Sequence, residues 1–302
     1  MQITPDTLAT LNNGFNAAFL QGFNAIGSQG NQYQQVCMEV SSSHRLENYG
    51  WMKDLPGVRE WIGPRLINNL EATGYQIVNK DWEHTLGIKR PDIEDDILGV
   101  FTLAVQQQGD IVGRHPNELV FAQTLLKGFT TTGFDGQYFF DTDHIGYDVN
   151  GAETSWSNAG GGSGSPWFLL DLSRTFMRPL VFQMRRAPEF TPLVSPSDPN
   201  VFHMNEFLYG VYARYAAGFG FHQLAYGSKQ TLDAAAYAAA RTALGTQYRP
   251  DGSALAVRGT HLVVGPGNEA AARRILLAER DAAGATNIWQ GTAEPLIVPQ
   301  LG

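Results

Sequence analysis

Segment 44–91 constrains the fold of this chain most strongly, because it is long and fits neither a regular helix nor a self-contained core. Three tryptophans, Trp51, Trp61 and Trp82, lie among glycines and prolines, and polar and apolar residues are evenly mixed. Residues 75–80 give its clearest strand pattern. The pattern favours an extended arm or hairpin that packs on another surface.

The N-terminal residues predict an amphipathic helix. Thr4 is a suitable cap, Pro5 suits the first helical position, and one apolar stripe follows at spacings of three or four residues. Gly14 and Gly22 weaken this helix, so its stripe needs a surface to lie on.

The middle of the chain predicts one long helix between two irregular stretches. Acidic residues crowd positions 92–96, and one apolar helical face then runs to 127, with a kink or a break at Pro116. Polar residues at 28–43 indicate a connector, and the glycine-rich stretch 160–165 indicates a flexible loop.

The C-terminal half mixes strands and helices, so the predicted fold class is α+β. Strands are predicted at 180–183, 206–215, 219–226, 261–265 and 294–299. Helices are predicted at 232–244, with Thr231 as its cap, and at 269–283.

Composition limits the classes of function. Charged residues make up 17% of the chain, below the roughly 25% of ordinary soluble domains, which suits burial against neighbours. The net charge of −8 argues against a nucleic-acid binder. The single cysteine, Cys37, excludes an intramolecular disulfide and is expected to be buried.

Targeting and membrane signals are absent from the sequence. No run of 18 apolar residues predicts a membrane span, and no Lys or Arg precedes Arg45. We therefore expect a protein that is made and kept in the cytoplasm until something releases it.

One acidic cluster is a candidate metal site. Its potential ligands are Asp135, Asp141, Asp143 and His144. Asp141 and Asp143 begin like a calcium loop, but Ile145 occupies the third ligand position and Ala152 the twelfth. Because aspartates are common in surface turns, we interpret the cluster as structural.

Two further motifs resemble nucleotide-binding sites but lack features that binding requires. Residues 262–270 have the strand, G-x-G-x-x-A turn and helix of a dinucleotide site, but Pro266 removes a backbone donor and little chain follows. Residues 227–229 resemble part of a phosphate loop without the preceding glycine spacing. The sequence therefore predicts no catalytic residues, no cofactor and no metal.

Short motifs spread over the whole chain resemble the Mu-like prophage major head subunit family. They are YGW at 49–51, PGVREWIG at 56–63, IEDD at 93–96, HPNEL at 115–119, FDGQYFFDTDH at 134–144, PWFLLD at 166–171, LYGVYAR at 208–214, AGFGF at 217–221, AYGSKQTLD at 225–233 and GTAEP at 291–295. So many short motifs in the same order as in that family are hard to obtain by chance.

The resemblance implies the Hong Kong 97-type phage capsid fold. It implies an N-terminal arm at 1–30, an extended loop with flanking strands at 31–92 and a spine helix of the peripheral domain at 93–129. An axial domain at 130–302 would send strands back to the periphery. No cleavable scaffolding segment is visible, so separate proteins are expected to supply scaffolding and processing.

The implied function is a major capsid protein that is not an enzyme. It would form pentamers and hexamers of an icosahedral head, located in the virion and assembled in the host cytoplasm, that encloses double-stranded DNA without sequence-specific binding. The implied partners are further copies of itself, a scaffolding protein, a maturation protease, a portal and decoration proteins, with no membrane.

Aromatic residues are the candidate inter-subunit contacts, because buried aromatics dominate interface energies. The candidates are Trp51, Trp61, Trp82, Phe15 and Phe19. The alternative for the tryptophans is an ordinary intrachain core.

Two other functions remain as alternatives. One is a different virion structural protein, such as a tail or connector component. The other is a metal-dependent hydrolase that uses Asp141, Asp143 and His144.

Overall fold

The structure is a computed structural model that describes residues 4–27, 31–49, 74–95, 99–281 and 283–302. The helices are α1 (Pro5–Asn24), α2 (Gln32–Val36), α3 (Arg90–Glu94), α4 (Val100–Asn117), α5 (Pro199–Met204), α6 (Ala234–Gly245) and α7 (Glu269–Leu277). The strands are β1 (Cys37–Ser41), β2 (Leu46–Asn48), β3 (Gln76–Val78), β4 (Lys80–Lys89), β5 (His144–Tyr147), β6 (Glu153–Trp156), β7 (Ala159–Gly162), β8 (Trp167–Leu170), β9 (Leu180–Leu193), β10 (Glu206–Phe219), β11 (Ala225–Lys229), β12 (His261–Val264) and β13 (Glu294–Ile297).

A four-stranded sheet in the order β1-β9-β10-β4 forms one layer of the molecule. β10 pairs antiparallel with both β9 and β4, whereas β1 pairs parallel with β9. α1 and α4 pack on one face, where alternate β10 residues such as Phe207, Tyr209 and Val211 are buried. The predicted strand at 206–215 is confirmed, and it continues to Phe219.

A five-stranded sheet in the order β13-β12-β8-β11-β7 forms the second layer. Its central strand β8 is buried on both faces, which explains its unbroken apolar run. Trp167 and Leu169 face a core with α6 and α7, while Phe168 and Leu170 face the core shared with the first sheet. The predicted α+β class is therefore confirmed.

The predicted start of α1 is confirmed in detail. The Thr4 hydroxyl accepts a hydrogen bond from the Thr7 backbone N–H, the Thr7 side chain returns one to the Thr4 backbone, and Pro5 opens the helix. Cys37 is buried at 4% exposure, as expected. Among the described helices, none is both long and apolar enough to cross a bilayer.

The helical element predicted over 93–127 is divided near its start and not at Pro116. Asp92 lies in the separate short helix α3, and Gly99 adopts a left-handed φ of 66° immediately before α4. Pro116 lies within the last turn of α4, and a π-helical turn at 118–122 follows. The helical backbone thus continues through the proline into this turn.

Two segments that were predicted to be irregular form regular structure. The polar connector at 28–43 contains α2 and β1, and β1 pairs with Leu180–Met184 of β9. The glycine-rich stretch contains β7, which pairs with β11. A Cβ built on Gly160 would lie 2.5 Å from the Ser228 Oγ, so glycine at this position allows close approach between strands.

Both C-terminal helices have ends that differ from the prediction. Asp233, not Thr231, caps α6 by accepting a hydrogen bond from the Ala236 backbone N–H. α7 ends at Leu277 instead of continuing to 283. The Asn287 side-chain amide donates to the Ile275 and Ala278 carbonyls at 2.8 Å, which satisfies that helix end.

Candidate functional site

Among the candidate inter-subunit contacts that the structure describes, Trp82 is the one that lines a surface cavity. It lies on β4, half-buried, and its indole N–H donates to the Tyr215 carbonyl at 2.9 Å. Its ring contacts the His115 ring edge-on, with the ring centres 4.4 Å apart. Trp51 and Trp61 lie outside the described residues, so their prediction stays open.

A small apolar cavity of about 100 Å³ adjoins this tryptophan between α4 and the first sheet. The His115 Nδ1 and the Tyr215 hydroxyl are hydrogen-bonded at 2.7 Å on its wall. Burial lowers the pKa of His115, and the nearby Glu118 opposes that shift only in part. The His115–Tyr215 pair is therefore uncharged at neutral pH.

Phe15 and Phe19 lie in the core between α1 and the first sheet, each 2% exposed. The Phe15 ring meets Tyr209 edge-on with centres 5.0 Å apart, and the Phe19 ring stacks on Phe190 at 5.1 Å. Within one subunit both side chains hold α1 on the sheet. Contact with a neighbouring subunit stays a prediction for both.

The most exposed large apolar side chain of the described residues lies at the end of the β9–β10 hairpin. Phe202 is 77% exposed and Met204 is 70% exposed, both on the short helix α5 that joins the two strands. Ile145 and Val149, on the β5–β6 hairpin, are 66% and 64% exposed. Exposed apolar side chains of this size are suited to contact with other protein surfaces.

The acidic cluster is divided by the fold. The Asp141 carboxylate accepts hydrogen bonds from the Tyr138 and Thr142 backbone N–H groups, and Asp143 is exposed to solvent. Asp135 and His144 do come together, with the Asp135 Oδ2 2.7 Å from the His144 Nδ1. The set of Asp141, Asp143 and His144 that a hydrolase would use is therefore not assembled around one point.

A histidine that the sequence did not indicate completes this group. His222 begins the short turn after β10, and its ring stacks on His144 at 4.0 Å with planes 8° apart. Phe134 covers its other side at 5.0 Å. No local spacing connects residues 144 and 222, so only the tertiary fold places them together.

The protonation states in this group follow from burial. Burial and the neighbouring His144 lower the pKa of His222 to about 3, against the attraction of Asp135. Burial would raise the pKa of the Asp135 carboxyl, but its hydrogen bond to His144 and the proximity of His222 hold that pKa below its usual value. The group therefore combines a neutral His222 with an ionised Asp135 at neutral pH.

The two nucleotide-like motifs form ordinary structure. A Cβ built on Gly265 would lie 2.5 Å from the Leu301 carbonyl oxygen, so this turn packs against the C-terminal residues. Gly227 and Lys229 lie within β11, where Gly227 is paired with both β7 and β8 and Lys229 is paired with β7. Neither motif presents a phosphate cradle in the described part of the chain.

Comparison with known proteins identifies the family. The model of the Mu-like prophage major head subunit gpT family matches residues 8–301. This chain belongs to that family. A Mu-like head subunit is a phage major capsid protein, and forming the virion head is therefore the function of this chain.

Two curated relatives support the assignment to the Mu-like head subunits. The chain is 38% identical to the Mu-like prophage FluMu major head subunit of Haemophilus influenzae, over 91% of this chain and 90% of that protein. It is also 38% identical to the major capsid protein of Escherichia phage Mu, over 95% of each.

Solved capsids share the fold of this head subunit. The bacteriophage JBD30 procapsid subunit matches with a TM-score of 0.84 and 38% identity, over 99% of this chain and 100% of that chain. The JBD30 capsid decorated with minor capsid protein trimers matches with a TM-score of 0.76 and 28% identity, over 90% and 91%. These matches confirm the tailed-phage capsid fold that the sequence motifs implied.

Proposed function

We propose that this head subunit forms pentamers and hexamers that close into an icosahedral shell around double-stranded DNA. The observation that carries the proposal is the fold match to the JBD30 procapsid subunit, which covers 99% of this chain. The net charge of −8 suits a container for DNA. An acidic protein surface does not bind DNA phosphates by releasing their counterions, so the packaged DNA would not stick to it. The subunit acts as a building block and not as an enzyme.

The subunit is proposed to be divided as its sequence motifs implied. Residues 1–30 would form the N-terminal arm, 31–92 the extended loop, 93–129 the spine of the peripheral domain and 130–302 the axial domain. The two sheets support this division, because α1 and α4 pack on the first sheet and α6 and α7 belong to the core of the second.

The inter-subunit contacts are proposed to be aromatic. Trp82 is supported by its half-exposed position beside an apolar cavity that could receive a neighbour's side chain. Trp51 and Trp61 are proposed on sequence alone. Phe15 and Phe19 would reach a neighbour only if α1 left its own sheet, since each is 2% exposed in the subunit.

Assembly would take place in the host cytoplasm with a scaffolding protein, a maturation protease and a portal. The JBD30 capsid is decorated with minor capsid protein trimers. We extend this to a similar decoration of the present shell, with no membrane partner.

Electron microscopy of the purified chain, alone and with its scaffolding protein, tests the proposal. Closed shells or five-fold and six-fold capsomers are the expected products. Rings or tubes would instead favour a tail or connector protein. A compact monomer that persists with the scaffold would overturn the proposal.

A further experiment distinguishes the capsid subunit from the alternative of a metal-dependent hydrolase. An activity that depends on bound metal and is lost in Asp143→Ala would contradict the proposal that the subunit is not an enzyme. Wild-type shell assembly by Asp143→Ala is the expected result, because Asp143 lies exposed on the surface.

A further inference from the structure

Two buried histidines, one on β5 and one in the turn after β10, have ring nitrogens without hydrogen-bond partners. His144 is 0% exposed and His222 is 3% exposed, yet the His144 Nε2 and both His222 ring nitrogens are unpaired. Leaving one buried polar atom unpaired costs roughly 1–3 kcal/mol. In native proteins such atoms generally bind water or an ion.

We propose that Asp135, His144 and His222 bind one divalent transition-metal ion of the zinc class. One nitrogen of each histidine and one carboxylate oxygen of Asp135 lie within 4.8 Å of one another. Two imidazoles and one carboxylate are a ligand set that zinc accepts, with a water molecule able to fill the fourth position.

Two of the three ligand separations lie near the value for a tetrahedral site. Tetrahedral zinc with bonds of about 2.0–2.1 Å separates its ligand atoms by roughly 3.3 Å. The Asp135 Oδ2 lies 2.7 Å from the His144 Nδ1 and 3.7 Å from the His222 Nδ1. Because the histidine rings are nearly parallel and the His144 Nδ1 already contacts Asp135, the His144 ring must turn so that one lone pair of each histidine points at the ion.

The surroundings favour the binding of a cation. Asp135 supplies a negative charge, and its side chain is 19% exposed, which gives the ion a route from solvent. The described neighbours of the rings add aromatic walls, Phe134 and Trp156, and no competing cation.

A buried asparagine links the segments around the site. The Asn158 side chain donates to the Phe139 and His222 carbonyls and accepts from the Asp141 backbone N–H. The loop with Asp135, strand β5 and the turn with His222 are thereby held together before any ion binds. The ion would tie these three segments more firmly, independently of shell assembly.

Titration of the purified full-length chain tests the site. The protein is first stripped of metal with a chelator, and Zn²⁺ is then added in a calorimeter at pH 7. Co²⁺ is added to a second sample, because tetrahedral cobalt absorbs strongly in the visible range. The expected result is one ion per chain, a rise in the melting temperature and the tetrahedral cobalt spectrum.

Two aspartates of the same surface loop form a matched pair. Asp135→Asn should weaken Zn²⁺ binding at least tenfold, while Asp143→Asn should leave it unchanged, since only Asp135 faces the histidines. His222→Gln should abolish the cobalt spectrum. If His222→Gln fails to fold, Asp135→Asn still decides, because its partly exposed side chain can be replaced with little change in packing.

Three results would overturn the site. The first is the absence of stoichiometric binding by the wild type. The second is equal binding by the wild type and by a folded Asp135→Asn. The third is loss of binding in Asp143→Asn, which would place the ion elsewhere on the loop.

Discussion

Gly109 in α4 lies so close to Phe19 in α1 that a Cβ built on Gly109 would stand 2.2 Å from the Phe19 carbonyl oxygen. Gly22 makes the reciprocal contact, with its Cβ position 1.9 Å from the Gln106 carbonyl oxygen. The backbones of the two helices therefore touch directly. Glycine at these positions lets α1 lie flat beside α4.

Gly109→Ala should destabilise the subunit by about 1–3 kcal/mol, because the added methyl group must push two helix backbones apart. Urea unfolding of the unassembled subunit measures the change. Gly14→Ala is the matched control, since no atom lies within 4 Å of its Cβ position. That control should stabilise the helix by roughly 0.5–1 kcal/mol. Equal effects of the two substitutions would contradict the close contact.

The pKa of His115 predicts a loss of stability in acid. This pKa is lowered in the folded state by burial, so between it and the unfolded value near 6.5 the unfolded chain binds more protons. The free energy of unfolding should then fall as the pH drops below about 6.5. The contribution of His115 to this slope should stay below about 1.4 kcal/mol per pH unit, because one histidine takes up at most one proton on unfolding.

His115→Gln isolates this contribution from those of other histidines. Unfolding measured from pH 7.5 to 5 should show a shallower pH dependence than in the wild type. His203→Gln, at an exposed position, should keep the wild-type slope. An unchanged slope in His115→Gln would rule out His115 as a source of the pH dependence.

The cap of α6 gives a test of one hydrogen bond. Asp233→Ala should cost about 0.5–2 kcal/mol, because the Ala236 backbone N–H loses the carboxylate that it donates to. Thr231→Ala should change the stability by less than about 0.5 kcal/mol, since Thr231 is exposed and precedes the cap. Thermal unfolding of both variants compares them, and a larger loss in Thr231→Ala would contradict the assignment of the cap.

Substitutions at two adjacent residues of α5 distinguish an effect on assembly from an effect on the folding of the subunit. Phe202→Ser should leave the unfolding free energy of the subunit within about 0.5 kcal/mol of wild type and raise the concentration needed for shell assembly, because this side chain is 77% exposed. Val201→Ser should destabilise the subunit itself, since Val201 is 7% exposed in the core. Light scattering and urea unfolding measure the two effects. Wild-type assembly by Phe202→Ser would exclude this side chain as a contact.

The sequence by itself determined the features that depend on neighbouring residues. The Thr4 cap and the alternation along β10 each follow from a few adjacent positions. The family motifs determined the capsid fold, since a set of short patterns in a fixed order identifies a whole subunit.

The tertiary structure decided what depends on residues far apart in the chain. Gly22 weakens α1 as an isolated helix, yet its lack of a side chain lets α1 contact α4. The glycine-rich β7 becomes a strand because β11 pairs with it. His222 joins Asp135 and His144 because β10 ends beside that loop, and local spacing carries no information about such packing.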